Sequence, residues 1–350
     1  MSVPDPAAGM IPFIRLRHRL YPQRMVRFTV LASGSKGNCT VVTGGRTRIL
    51  VDAGLSCREI FRRMRLAGEE PETLNAIVVT HEHSDHVGGL AVTARKLGIP
   101  VYFTEGTHRA WMRWLTPRRQ MTYAQWLEQC RKQAAERQAE AVVDEGEPDE
   151  AELSELGSPE PGAVEAGQAD PLPETPCRQK DPTWLPAVEY FQSGQPFEIG
   201  DIAVSPFTIP HDAADPVGFV FASEGVRMGF ATDLGCILPN VKAQLKGVDL
   251  MLLESNHDRE MLRDGPYPWS VKQRILSRVG HLSNEAAAEF LEHDYDGHAT
   301  HVILAHLSES NNLPELARMT AERALAGKTS LFSNLLLVAA QHEPLSPVNF

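Results

Sequence analysis

The sequence contains no apolar run near the roughly 20 residues that a membrane-spanning helix requires, so a transmembrane protein is not expected. Residues 1–24 include several arginines but lack the uninterrupted apolar stretch and small-residue cleavage site of a secretory signal. We expect these residues to form a disordered extension, and Met25, directly before the first strand-like run, is a candidate start codon.

Cysteine is also scarce and unpaired in sequence. The chain has five cysteines, widely scattered and without a C-x-x-C pair. This pattern argues against a disulfide framework and against a zinc site built from thiolates. A reducing, cytoplasmic location fits this cysteine usage best.

Excess charge of one sign is confined to a single segment. The formal net charge is −11, but Ala141–Asp181 alone holds twelve acidic residues against Arg178 and Lys180. The rest of the chain is therefore near neutral, and net charge neither favours nor excludes a polyanionic substrate. Residues 117–140 have a polar helical pattern, and residues 141–186 are acidic, proline-rich and poor in aromatics, which predicts a disordered insertion.

On either side of this insertion, short β-branched or apolar runs alternate with helical patterns. Arg27–Leu31 and Ala76–Thr80 are examples in the first half, and Ile202–Thr208 and His301–Leu304 in the second. We predict one α/β domain, more closely α+β, over residues 25–350, interrupted at about 117–186 by a helical and then disordered insertion.

A histidine-rich motif directly follows one predicted strand. His81, His83, Asp85 and His86 place three imidazoles and a carboxylate within six residues. Alternate side chains of such a loop can hold one cation while the others face a neighbouring one. Imidazole nitrogen and carboxylate oxygen suit zinc, manganese or iron and do not select among them.

Each cation needs further ligands from elsewhere in the chain. His211, Asp233 and His306 each follow an apolar strand, and a carboxylate such as Asp233 can bridge two cations. These three residues are the candidates that complete the site.

This set of motifs resembles the metallo-β-lactamase superfamily. More narrowly, Leu31–Asn38, Glu254–Asp258, Gly280–Asn284 and His306–Asn312 resemble the YycJ/WalJ subfamily. The resemblance implies a four-layer αββα sandwich, two bound divalent ions and 5′-to-3′ exonuclease action on DNA. It also implies that His81, His83 and His211 hold one ion, that Asp85, His86 and His306 hold the other, and that Asp233 bridges them.

The predicted nucleophile is a metal-activated water oriented by Asp85 and Asp233. An acid that protonates the departing sugar oxygen would help, and His257 and His281 are equal candidates. Polar loop residues are candidate phosphate donors, although two of them also suit helix N-caps. They are Ser33, Gly34, Ser35, Lys36, Asn38, Ser283, Asn284, Ser308, Asn311 and Asn312.

Other functions stay open at this point. The motif is also compatible with an RNA-processing nuclease or with a thioester or lactone hydrolase. In a non-enzymatic regulatory protein, the metals would only stabilise the fold. Arg62, Arg63 and Arg65 form a basic run that predicts either a solvated helix face or sequence-independent DNA phosphate contacts.

Overall fold

This computed structural model describes residues 26–116, 131–132, 181–326, 328 and 335–350. The predicted extension 1–24 and residues 117–130 and 133–180 of the predicted insertion lie outside the described residues. The chain divides into two compact units, one made of residues up to Trp111 together with Leu185–Phe350, and the other of Met112–Trp184. Both sheets belong to the first unit. No described helix is long and apolar enough to cross a membrane.

The first sheet has the strand order β14-β1-β2-β3-β4-β5-β6, and β3 to β6 run parallel. Its strands are β1 (Arg27–Ala32), β2 (Cys39–Gly44), β3 (Thr47–Val51), β4 (Ala76–Val78), β5 (Pro100–Phe103), β6 (Ala187–Tyr190) and β14 (Val348–Asn349).

The second sheet has the order β13-β12-β11-β10-β9-β8-β7, and β10 to β13 run parallel. Its strands are β7 (Phe197–Ile199), β8 (Ile202–Thr208), β9 (Val217–Ser223), β10 (Val226–Ala231), β11 (Leu250–Glu254), β12 (His301–Ala305) and β13 (Leu335–Val338).

Helices cover the outer faces of the two sheets. The described helices are α1 (Cys57–Leu66), a 3-10 turn (Pro71–Thr73), α2 (Ser84–Val87), α3 (Leu90–Leu97), α4 (Glu105–Leu115), α5 (Pro239–Leu245), α6 (Arg259–Asp264), α7 (Trp269–Ile275), α8 (Asn284–His293) and α9 (Pro314–Leu325). Helix α1 packs against β1 and α3, and α9 packs against α8 and β13.

Strand alternation produces the two cores. Phe28 and Val30 of β1 point into an apolar layer shared with Phe219 and Leu252 of the second sheet, because alternate residues of a strand face the same side. A second apolar core joins the opposite face of the second sheet to α5, α8 and α9. The predicted four-layer αββα architecture is confirmed.

Parallel strands bring their carboxyl ends to one edge of each sheet, where ligands commonly bind. In the second sheet, β8 pairs antiparallel with β9, and β9 pairs antiparallel with β10. Strand β8 therefore runs in the direction of β10, β11 and β12. The residues that follow these four strands all emerge at the same edge.

Candidate metal centre and active site

The histidine-rich motif is held in place by the loops that follow β1 and β3. Its backbone accepts two hydrogen bonds: Asn38 N–H donates to Asp85 O at 2.7 Å, and Ala53 N–H donates to His86 O at 2.7 Å. Gly54 lies so close that a Cβ on it would be 1.7 Å from Asp85 O. Only a residue without a side chain permits this approach, which sets the position of the motif.

Six of the seven predicted ligand residues come together in two sets. His81, His83 and His211 form the first, with His211 Nε2 at 3.3 Å from His83 Nδ1. Asp85, His86 and His306 form the second, with Asp85 Oδ2 at 3.5 Å from Nε2 of both histidines. Within each set, the ligand atoms lie within 4.8 Å of one another.

Asp233 lies between the two sets. Its Oδ2 is 3.4 Å from His86 Nε2, and its Oδ1 is 3.9 Å from His211 Nε2. Asp233 and His306 have φ values of 61° and 57°, in the left-handed region that non-glycine residues rarely adopt. Such backbone strain is typical of functional sites, where the surrounding structure imposes it.

The donor atoms fit divalent cations. His81 Nε2 is buried and, among the described residues, has no hydrogen-bond partner. A buried polar atom without a partner is unfavourable, and a cation ligated by this nitrogen would compensate it. The imidazole and carboxylate donors match the ligands that zinc, manganese and iron accept.

Asp52, which sequence reasoning missed, orients one of these histidines. Its Oδ2 accepts a hydrogen bond from His86 Nδ1 at 2.8 Å, and its Oδ1 accepts one from Thr80 N–H at 2.8 Å. Asp52 is fully buried and has φ 60°. A carboxylate on the second nitrogen of a ligand histidine fixes its tautomer and ring orientation. The available signal was an acidic residue directly after a buried strand.

Glu254 has the same relation to His306 and was also missed. It ends β11, is fully buried, and its Oε1 lies 2.8 Å from Nδ1 of both His306 and His281. Burial would raise the pKa of Glu254, but His281 and His306 lower it to about 2, so the carboxylate is ionised. Leu234 N–H also donates to its Oε2 at 2.5 Å.

A cavity of about 430 Å³ opens beside the seven residues. Its walls include the proposed ligands His83, Asp85, Asp233 and His306, together with Tyr267, Val271, Arg274, Ile275, Gly280 and His281. A volume in this range accommodates a small ligand, since such pockets measure about 300–1,000 Å³.

Residues 32–264 match the model of the metallo-beta-lactamase superfamily, a region that contains six of the seven predicted ligands. The chain belongs to this superfamily. Its membership accounts for the convergence of imidazole and carboxylate groups at one sheet edge, and it confirms the family predicted from the motifs.

Two curated relatives resemble this metallo-beta-lactamase superfamily member over most of their length. The exodeoxyribonuclease YycJ of Bacillus anthracis is 34% identical over 303 residues, covering 87% of this chain and 90% of YycJ. The exodeoxyribonuclease WalJ of Streptococcus pneumoniae is 32% identical over 300 residues, covering 86% of this chain and 88% of WalJ.

Solved structures support the superfamily fold. The metallo-beta-lactamase fold protein YhfI of Bacillus subtilis has a TM-score of 0.55 at 13% identity, covering 92% of this chain and 99% of YhfI. Zn²⁺-bound PqqB of Methylobacterium extorquens has a TM-score of 0.54 at 15% identity, covering 91% of this chain and 99% of PqqB. At these identities the likeness concerns the fold alone.

The two candidate acids occupy different places in this metallo-beta-lactamase fold. His281 lines the cavity and is bonded to Glu254 through Nδ1. His257 is 1% exposed, does not line the cavity, and burial lowers its pKa to about 4. Geometry therefore separates two residues that the sequence left equal, and it favours His281.

The predicted phosphate donors fall into groups with different surroundings. Ser35 and Ser308 line the cavity, whereas Lys36 is 65% exposed and bonded to Glu309 at 2.6 Å. The others are engaged in internal hydrogen bonds: Ser33 with His306 N–H, Gly34 with Asn38, Asn38 also with Asp85, Ser283 with Ala286 N–H, Asn284 with Asn312, and Asn311 with Ser308. These bonds give that second group a structural role in shaping the site.

Arg63 does not belong to a solvated basic face. It is 5% exposed, and its Nη1 donates to Leu31 O at 3.1 Å and Gln341 O at 2.7 Å. Arg62 and Arg65 are exposed and paired with Glu59 and Glu72. The expectation of a common surface role therefore fails for Arg63, because its guanidinium is needed by buried carbonyl groups.

Proposed function

We propose that this protein is a metal-dependent phosphodiesterase that degrades DNA in the 5′-to-3′ direction. The observation that carries the proposal is the convergence of seven imidazole and carboxylate side chains at one place, four of which line a single cavity. The similarity to two exodeoxyribonucleases over most of their length supports DNA as the substrate. The cysteine usage supports a cytoplasmic location.

The proposed cofactors are two divalent ions, with zinc or manganese preferred and iron compatible. His81, His83 and His211 would hold one ion, Asp85, His86 and His306 the other, and Asp233 both. When bound, such a pair supplies a nucleophile from water at neutral pH and neutralises charge on the phosphoryl group.

The protein side chains then position the reactants. Asp85 and Asp233 accept hydrogen bonds from the attacking water and orient it. Asp52 and Glu254 fix the ring orientations of His86 and His306. His281 lines the cavity and donates a proton to the sugar oxygen that leaves. Ser35 and Ser308 offer hydroxyl donors to phosphate oxygens.

The function is tested by incubating the full chain with end-labelled, 5′-phosphorylated DNA and added Mn²⁺ or Zn²⁺. We expect stepwise loss from the 5′ end, and expect His83→Ala and Asp85→Ala to reduce the rate by at least about 100-fold, since each removes a proposed ligand. His293→Ala is the control, because His293 is 66% exposed and lies at the end of α8.

Each alternative has its own outcome in this assay. Preferred cleavage of RNA would establish an RNA-processing nuclease, and turnover of a thioester or lactone without DNA cleavage would establish an acyl hydrolase. Equal activity of His83→Ala and the wild type would contradict a catalytic role for the metals. No hydrolysis of any of these substrates by the wild type would favour a regulatory protein.

The role of His281 predicts a dependence on the leaving group. Loss of a general acid costs roughly 100- to 10,000-fold when a poor leaving group departs. His281→Ala should therefore slow DNA hydrolysis by at least about 100-fold but slow p-nitrophenyl phosphodiester hydrolysis far less, because p-nitrophenolate leaves without protonation. Equal losses with both substrates would instead indicate damage to Glu254 and the metal centre.

A further inference from the structure

Part of the cavity wall comes from one segment, residues 267–281, whose first part, residues 267–275, neither the sequence motifs nor the proposed metal sites explain. Tyr267, Val271, Arg274 and Ile275 line the cavity from α7 and the turn before it. Helix α7 has no buried residue, so core packing does not account for its apolar and aromatic side chains. This wall is open to a ligand.

The segment is nonetheless held firmly against the metal-ligand loop. His211 Nδ1 lies 3.1 Å from Gly280 O, and Asp212 N–H donates to Val279 O at 3.0 Å. His281 N–H donates to Ile275 O at 2.9 Å. These bonds fix the distance between the wall and the ligands, as a substrate-binding surface requires.

Arg274 is the cation on this wall. Its Nε donates to Asp212 Oδ2, yet the side chain remains 63% exposed. A guanidinium has five N–H donors, so this single bond leaves donors for a second, anionic acceptor. A planar guanidinium is well suited to grip a phosphate through two bonds.

Tyr267 and Val271 provide the apolar part of the wall. Tyr267 is half-buried, and Val271 leaves 38% of its surface exposed. Aromatic rings bind nucleic-acid bases by stacking without reading sequence. This wall therefore offers an aromatic ring and an aliphatic side chain for a base, and a guanidinium for a phosphate. Base and phosphate are parts of one nucleotide.

We propose that Tyr267, Val271 and Arg274 form the subsite for the 5′-terminal nucleotide of the DNA, with its base against Tyr267 and its 5′-phosphate on Arg274. The inference rests on the proposed exonuclease function. The scissile phosphate lies at the metal ligands, so the guanidinium, which is not a ligand, takes the phosphate on the other side of the same nucleoside. The cavity of about 430 Å³ then admits one nucleotide, so the terminal base must leave its stack before cleavage.

The Arg274 contact is tested with matched DNA that carries a 5′-phosphate or a 5′-hydroxyl. The wild type should prefer the phosphorylated end, and Arg274→Ala should raise KM for it by roughly 10- to 100-fold and remove the preference. Arg274→Lys should recover part of the loss, because it restores charge but not the two-pronged geometry. Arg263→Ala is the matched control, since Arg263 is 65% exposed, pairs with Asp264 and does not line the cavity.

The Tyr267 contact is tested by Tyr267→Ala and Tyr267→Phe. We expect Tyr267→Ala to raise KM for DNA by roughly 10-fold and Tyr267→Phe to stay near the wild-type value, because stacking needs the ring and not the hydroxyl. Bis(p-nitrophenyl) phosphate carries no terminal phosphate but has aromatic rings that can stack, so its turnover should be retained in Arg274→Ala and in Tyr267→Phe, while Tyr267→Ala should keep its metal content. Retained turnover also shows that a variant is folded and holds its metals.

These assays distinguish an incorrect subsite from an incorrect proposed function. Wild-type protein that does not cleave DNA would overturn the proposed function. Wild-type protein that cleaves DNA, but without a 5′-phosphate preference or with unchanged KM in Arg274→Ala, would overturn the subsite. Equal losses on DNA and on bis(p-nitrophenyl) phosphate would assign Arg274 to a structural role through Asp212.

Discussion

Single carboxylates behind the ligand histidines decide how the imidazoles point. Asp52 is bonded to Nδ1 of His86, and Glu254 is bonded to Nδ1 of His306. Both acids are fully buried. A buried carboxylate is stable only when its oxygens have hydrogen-bond or charged partners. Loss of such an acceptor frees the imidazole to rotate or to change its tautomer.

Asp52→Asn is expected to weaken metal binding by roughly 10- to 100-fold, because an amide keeps the shape but loses the charge that orients His86. Metal content after equilibration with a graded chelator series would measure the change. Asp201→Asn serves as the control, since Asp201 directly precedes β8, at the opposite end of that strand from His211, and accepts hydrogen bonds from the backbone N–H groups of Arg46 and Thr47. Unchanged metal content in Asp52→Asn would contradict the orienting role.

At the level of elements, the loop after β3 and the histidine-rich motif form one unit. Ala53 N–H donates to His86 O, Gly54 N–H donates to Asn38 O, and Gly89 N–H donates to Ala53 O at 2.7 Å. The end of the motif, at Asp85 and His86, is therefore supported by backbone contacts. Such contacts depend on close approach, which a side chain at the contact point would prevent.

Gly54→Ala should destabilise the fold by about 1–3 kcal/mol or more and lower metal content, since its Cβ would lie 1.7 Å from Asp85 O. Urea unfolding and metal analysis of the same sample would measure both effects. Gly68→Ala is the control: Gly68 has φ +74° with no atom within 4 Å of an added Cβ, so it should cost only about 1–2 kcal/mol of backbone strain and leave metal content unchanged. Equal behaviour of the two variants would refute the close-contact argument.

For the whole molecule, most of the net charge resides in a stretch that holds no proposed ligand. Ala141–Asp181 contributes twelve acidic and two basic residues to a chain of net charge −11. All seven proposed ligands and both sheets lie outside this stretch. Its charge would repel DNA only if it lay near the cavity.

Replacing Ala141–Asp181 by a short Gly/Ser linker should leave the nuclease rate and its salt dependence unchanged, as expected for a tolerated insertion. Rates on 5′-phosphorylated DNA over a series of salt concentrations would measure both quantities. A faster rate with a different salt dependence would show instead that the acidic stretch controls access of DNA.

The strands predicted from the sequence match observed strands within a few residues, but β5, β6, β7, β13 and β14 were not predicted. These five strands are only two to four residues long, too short to show a clear period-two pattern. Whether such short segments form strands depends on tertiary contacts.

The sequence alone determined the family, the sandwich and the seven candidate ligands, because metal ligation demands particular side chains at recognisable spacings after strands. Tertiary structure decided which histidine faces the cavity, which loop residues are engaged in internal bonds, and which acids support the ligands. It also placed Arg274 and Tyr267 in the cavity that four of the proposed ligands line. These outcomes depend on residues far apart in sequence meeting at one sheet edge, a juxtaposition that no local pattern encodes.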